Sequence, residues 1–194
     1  ADWAQFLDAC RKLKAAGIAP IAVAARDAWT LAAWFDYLDL RINGYAFHQK
    51  LMAGDVAYTD PRVRAVYAAW KKLIDDKYFI DNALSYDVDS LSPLIVNGQA
   101  AMTLMGTWYS AGLLSATRNP ISFFRFPVID ASVPLAEDGP VNVLIVPAKA
   151  HNKTDARRLL AFMGQPAVSG EFAKGMGQLP SNNKAPEPQD PATQ

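Results

Sequence analysis

A helix-rich α/β fold is predicted by three features of this sequence. Long segments place apolar side chains at helical period, short apolar runs follow glycine turns as covered strands do, and the two kinds alternate along the chain. The 194 residues suffice for one domain, or one lobe of something larger, with ample apolar material for a core. Residues of the hydrophobic set make up 51% of the chain and charged residues 20%, an ordinary globular profile.

The elements follow in order. Trp3, Phe6, Leu7, Cys10 and Leu13 share one face of a first helix, and Gly17 stops it. Residues 19–25 suit a covered strand with Pro20 near its start, and Cys10 on the buried stripe is expected to be inert. The segment Arg26–Thr30 leads into a helix carrying Leu31, Trp34, Phe35, Leu38 and Ile42. Residues 44–59 read as a shorter, irregular helical stretch between Gly44 and Gly54.

Asp60-Pro61 is a helix start, with Asp as N-cap and Pro at the first helical position. Val63, Val66, Tyr67, Trp70, Leu73 and Ile74 are expected on its buried stripe, and Lys71, Lys72, Asp75, Asp76 and Lys77 at its solvated end. Asp89, Ser90 or Ser92 opens a further helix ending near Asn97-Gly98, and Ala100 to Met105 is a strand candidate. Gly106-Thr107-Trp108-Tyr109 turns the chain into a helix of about two turns. Ile121–Pro127 and Val141–Pro147 are two more strand candidates. Asn152–Met163 is a helix with Ala156, Leu159, Leu160 and Met163 inward, Pro166–Met176 is its neighbour, and the residues from Pro180 form an irregular tail.

Composition narrows the functional classes. Nineteen basic residues balance 19 acidic ones without a basic run, whereas a dedicated nucleic-acid binder needs a surplus of Lys and Arg on one face. The lone cysteine, Cys10, excludes an internal disulfide framework, and His48 and His151 lie outside any short-spaced ligand cluster, so neither a metal nor another cofactor is expected. No stretch approaches 18 uninterrupted apolar residues, the length of a membrane span. The sequence starts with Ala1, and residues 1–16 mix charged and apolar side chains, so the chain is expected to be mature, processed or cut from something longer.

No Gly-x-Ser-x-Gly elbow, Walker loop or dinucleotide fingerprint is present; Gly175-Met176-Gly177 follows a helical stretch. Asp27, Asp87, Asp89 and Asp130 offer carboxylates for a glycosidase pair, but turn and capping roles suit them better. The aromatic residues are more informative. Trp29 and Trp108 stand where apolar strands hand over to helices, positions that face a cleft, whereas Trp3, Trp34 and Trp70 sit on core stripes. An indole there is a flat apolar plate with one N–H donor, suited to the C–H face of a pyranose, and Asp27 nearby would accept from sugar hydroxyls. Packing in the interior is the competing role for both rings.

The order of segments resembles the extracellular solute-binding proteins of ABC transporters, the large family that includes the maltose-binding protein. The resemblance covers roughly residues 2–183. It is carried by Trp3-x-x-Phe6 through Leu13-Lys14-Ala15-Ala16-Gly17-Ile18-Ala19-Pro20, by Asn43-Gly44-Tyr45, and by Asn97-Gly98-Gln99-Ala100-Ala101-Met102 leading to Gly106-Thr107-Trp108. Phe126-Pro127, Val146-Pro147 with Asn152, and Gly177-Gln178-Leu179-Pro180 continue it.

The resemblance implies a type II periplasmic-binding-protein-like lobe, helix-rich and partial, from a two-lobed protein that closes on its ligand. Such a protein delivers a sugar or oligosaccharide to membrane permease subunits from the periplasm or cell exterior, and it is no enzyme. Asp27 and Trp29 map onto ligand contacts, Gly106 and Trp108 onto a turn that supplies a stacking ring, and Asn142 onto a further polar contact. Residues 1–140 would belong mostly to the carboxy-terminal lobe, 141–184 to a crossing strand and helices that normally pack on an amino-terminal lobe missing here, and 185–194 to an irregular tail. Two readings from other classes compete: a carbohydrate-active hydrolase using Asp27 and a second aspartate, and a helical interaction module without a small-molecule ligand.

Overall fold

The computed structural model describes residues 2–109, 112–113, 116, 121–139 and 142–186. They form two compact units, residues 1–105 with 119–139 and residues 106–118 with 140–194.

The first unit opens with α1 (Trp3–Ala15), started by a capping box in which Asp2 and Gln5 exchange backbone and side-chain bonds. It ends in a Schellman motif: Gly17 N–H bonds Lys14 O and Ile18 N–H bonds Leu13 O, with Gly17 at φ +78°. Strand β1 (Ala19–Ala22) follows, then α2 (Ala28–Ile42), α3 (Tyr45–Met52) and α4 (Pro61–Asp75). After a one-turn 3-10 helix at Ala83–Ser85 come the short α5 (Leu91–Val96) and β2 (Ala100–Thr103). Strands β1 and β2 pair in parallel, Ala19 with Ala100 and Ile21 with Met102. On its other side β1 is bridged by Phe79, with Ile21 N–H donating to Tyr78 O and Ile80 N–H to Ile21 O. Thus β1 is interior, and residues 19–25 read as an apolar run because neighbours cover them on both edges.

One apolar core joins these elements. Phe6 and Cys10 of α1, Ile21 of β1, Trp34 and Leu38 of α2, Leu51 of α3, and Val63, Val66 and Leu73 of α4 meet Phe126 from the returning segment. The buried stripe of α4 is narrower than its sequence predicts: Tyr67 and Ile74 are exposed. The row Val63, Val66, Trp70 and Leu73 takes the core, and Tyr67 lies at its margin with its ring 5.3 Å from that of Phe35.

The ladder also ends earlier than expected. Ala22 pairs with Thr103, so residues 23–25 and 104–105 lie outside the strands although Val23 and Ala24 are buried. Neither later strand candidate is a strand. Residues 121–127 carry no ladder and end at a single bridge between Val128 and Asp2; residues 142–147 carry none either, and Val141 is outside the described residues. Alternation and apolarity describe a strand only where another backbone lies alongside, and Phe123, Phe124, Val143, Leu144 and Ile145 are exposed instead.

In the second unit Thr107–Tyr109 is a 3-10 turn, and of the helix expected to follow it Gly112, Leu113 and Ala116 are helical while the rest of its span lies outside the described residues. Then α6 (Lys153–Met163), capped by Asn152, and α7 (Pro166–Met176), with Pro at its first turn, fall where the periodicity places them. Leu159 is exposed, contrary to expectation. Asn182 Nδ2 donates to Gly164 O at 2.7 Å, and the Ser169 and Ser181 hydroxyls lie 3.2 Å apart, which tie the tail back to the α6–α7 turn and to α7. Residues 187–194 of the tail are outside the described residues.

Candidate ligand-binding site

In the first unit the candidate residues lie at the carboxyl end of β1, the edge where open α/β sheets bind ligands. Local hydrogen bonds define the turn there. Thr30, buried, donates its hydroxyl to Ala24 O at 2.7 Å, and Asp27 N–H donates to the same carbonyl at 3.0 Å. Asp27 O accepts from Thr30 N–H at 3.0 Å, so the chain enters α2 in a fixed orientation with Asp27 as its N-cap residue. Two positions on, Trp29 stands on the first turn of α2 and is 49% exposed.

A second loop is laced to this turn. Ala25 N–H donates to Ala83 O and Arg26 N–H to Tyr86 O, at 3.2 and 3.1 Å. The Arg26 guanidinium pairs with Asp87, whose other carboxylate oxygen accepts from Ser90 N–H at 2.9 Å. Asp27 Oδ2 accepts from Val88 N–H at 2.8 Å. Sequence reasoning missed this bond, which gives the Asp27 carboxylate a structural share in joining residues 86–90 to the β1–α2 turn. It also missed Arg26. The spacing of Asp87 from Ser90 is the signal for the capping turn, and Asp87 fills it. Asn82, at φ +56°, holds the left-handed turn that starts the neighbouring 3-10 helix.

In the second unit Trp108 is half-buried on the Thr107–Tyr109 turn, which Tyr109 N–H closes by donating to Gly106 O at 3.0 Å. Its indole meets the Tyr109 ring edge-on, centroids 5.7 Å apart and planes at 83°. A Cβ on Gly106 would fall 2.3 Å from Trp108 Nε1 and 2.7 Å from its Cδ1. Asn142 is exposed on the irregular segment 142–147. Among the described residues no cluster of three or more His, Cys, Asp or Glu side chains is placed to hold a metal ion, and no helix is long and apolar enough to cross a membrane.

Residues 1–169 match the family described as bacterial extracellular solute-binding protein. The chain belongs to that family. It is 27% identical over 181 residues to an uncharacterised ABC transporter extracellular-binding protein of Pyrococcus horikoshii, covering 93% of this chain and 40% of that protein. Among solved structures, the solute receptor AcbH, described as having an exclusive substrate preference for β-D-galactopyranose, is 34% identical with a TM-score of 0.61, over 68% of this chain and 33% of AcbH. A protein studied for xylan utilization by Caldanaerobius polysaccharolyticus superposes with a TM-score of 0.80 at 19% identity, over 99% of this chain and 51% of that one. The fold is therefore the type II periplasmic-binding-protein class, helix-rich, and the chain spans about half or less of the length of these relatives.

Proposed function

We propose that this chain is part of the substrate-binding component of an ABC importer and takes a sugar or oligosaccharide for delivery to permease subunits outside the cytoplasmic membrane. The observation that carries this reading is the exposed indole of Trp29 on the first turn of α2, beside an aspartate at the carboxyl end of a parallel strand. Trp29 stacks on a pyranose face, and Asp27, with Oδ2 engaged by Val88, accepts a sugar hydroxyl through Oδ1. In the second unit Trp108, with Gly106 in its turn, offers a plate of its own for a saccharide, and Asn142 an amide. The saccharide preference described for AcbH, at 34% identity, supports the ligand class.

The assignment of segments follows the same reading. Residues 1–140 belong mostly to a carboxy-terminal lobe, and α6 and α7 pack on an amino-terminal lobe supplied by the parent protein. The protein acts by binding and release without turning over its ligand. Asp27 and Asp87, the carboxylates a hydrolase would draw on, are both engaged by neighbouring donors, which suits fixed acceptors better than proton carriers.

Isothermal titration with D-galactose, xylotriose and maltose tests the reading. Binding of at least one, weakened about tenfold by Trp29→Ala and by Trp108→Ala, is expected from the loss of one stacking contact. Saccharide cleavage that Asp27→Asn abolishes would overturn it in favour of hydrolysis.

A further inference from the structure

We infer that Gly106 is a positioning residue, whose missing side chain lets the Trp108 indole lie back over the backbone and so sets the plane in which that ring meets a saccharide. The inference rests on the stacking role proposed for Trp108.

Among the described residues five glycines shape this backbone through a left-handed conformation: Gly17, Gly44, Gly54, Gly98 and Gly177 have φ between +61° and +82°. Gly106 is not among the positive-φ glycines, so its backbone conformation is open to other residues. What excludes them is the ring. A Cβ would stand 2.3, 2.7 and 3.3 Å from Nε1, Cδ1 and Cε2 of Trp108, inside van der Waals contact along the whole pyrrole edge of the indole. Tyr109 braces the ring edge-on from the next position. The same turn is closed through Gly106 O, so floor and brace belong to one hydrogen-bonded turn of four residues, 106–109. An indole held by such a seat meets its ligand without first losing rotamer freedom, and preorganisation of this kind is a direct gain in affinity.

Alanine at 106 makes the ring swing about its two side-chain torsions. The backbone tolerates alanine, so the effect falls on the ring and not on folding. Near-ultraviolet circular dichroism therefore reads the inference without any ligand. Gly106→Ala is expected to change the spectrum, with the change absent in a Trp108→Phe background and the far-ultraviolet spectrum unaltered. A Gly106→Ala spectrum identical to that of the unaltered chain, or a change that persists in the Trp108→Phe background, overturns it.

Titration with D-galactose and xylotriose supplies the second arm. Gly106→Ala should weaken binding by the same factor as Trp108→Ala, about tenfold, and the double variant should be no weaker than either. If Trp108→Ala weakens binding while Gly106→Ala leaves it intact, the positioning role is overturned and the stacking role stands. If the spectral change appears but neither variant alters binding, Gly106 still seats the ring and the stacking role fails.

Discussion

Arg41 carries its guanidinium into the interior with 1% of the residue exposed, and three acceptors meet it there. Nε donates to Phe126 O at 3.3 Å, Nη2 to Glu137 Oε1 at 2.9 Å, and Nη1 to Ala136 O, while the rings of Tyr37 and Phe126 lie beside the cation. The side chain binds the returning segment 126–137 to α2. Arg41→Ala strands those acceptors and is expected to cost about 3 kcal/mol, read as a lower urea midpoint; an unchanged midpoint contradicts the assignment. Cys10 shows the opposite chemistry. Burial pushes its thiol up to about 11, so it is neutral at pH 7, and Ellman's reagent should label it only as fast as the protein unfolds. Labelling at the rate of a free thiol contradicts this.

At Asp60 the sign of a pH effect can be worked out. Hydrogen bonds from the Arg62 side chain and backbone N–H lower its carboxyl from 3.8 to about 2. A depressed folded-state value means stabilisation that is present above the unfolded value and lost as pH falls from about 4 through 2. Asp60→Asn should flatten the melting temperature against pH in that window, and parallel curves for the two proteins contradict it. Asp60 was legible in sequence because Asp-Pro is a local signal. Arg41 was not, because its partners lie 85 to 96 positions away.

Helix α4 ends as α1 does, in a Schellman motif, with Lys77 N–H bonded to Ile74 O and Tyr78 N–H to Leu73 O. Here the left-handed position, φ +54°, is filled by Lys77 in place of glycine. Lys77→Gly relieves the contact between Cβ and backbone and is expected to raise the urea midpoint by an amount worth up to ~1 kcal/mol. A lower midpoint would show that the lysine side chain compensates elsewhere. Helices were the legible elements, since capping residues and period sit within each segment: Asp60-Pro61, Asn152 and Gly17 mark their ends as expected. Strands were less so. Residues 19–25 and 100–105 were found as apolar runs, but the ladder stops where its partner does, and 121–127 and 142–147 have the composition of strands without the pairing.

The molecule as a whole leaves apolar side chains in water within each unit: Phe123 and Phe124 in one, and Val143, Leu144, Ile145, Phe162 and Phe172 in the other. Under the proposed segment assignment, those of the second unit would pack on the amino-terminal lobe of the parent protein. Hydrogen exchange across residues 142–176 should therefore be slower in the full-length parent than in this chain, and equal protection contradicts the segment assignment. The fold class was legible because the order of helix, strand and loop motifs extends over most of the chain. Of the candidate site, the sequence shows where the residues stand but not what holds them: Trp29 is exposed and Trp108 half-buried, while the bond from Val88 to Asp27 spans 61 positions and no local signal carries it.

Transfer of magnetisation from the protein's tryptophan ring protons to a bound saccharide tests the stacking account most directly. Using the D-galactose or xylotriose that titration selects, saturating the indole resonances should attenuate the C–H protons of one pyranose face, and Trp29→Ala and Trp108→Ala should each reduce that transfer. Transfer that both variants leave unchanged, or that spreads evenly over every sugar proton, would contradict the account.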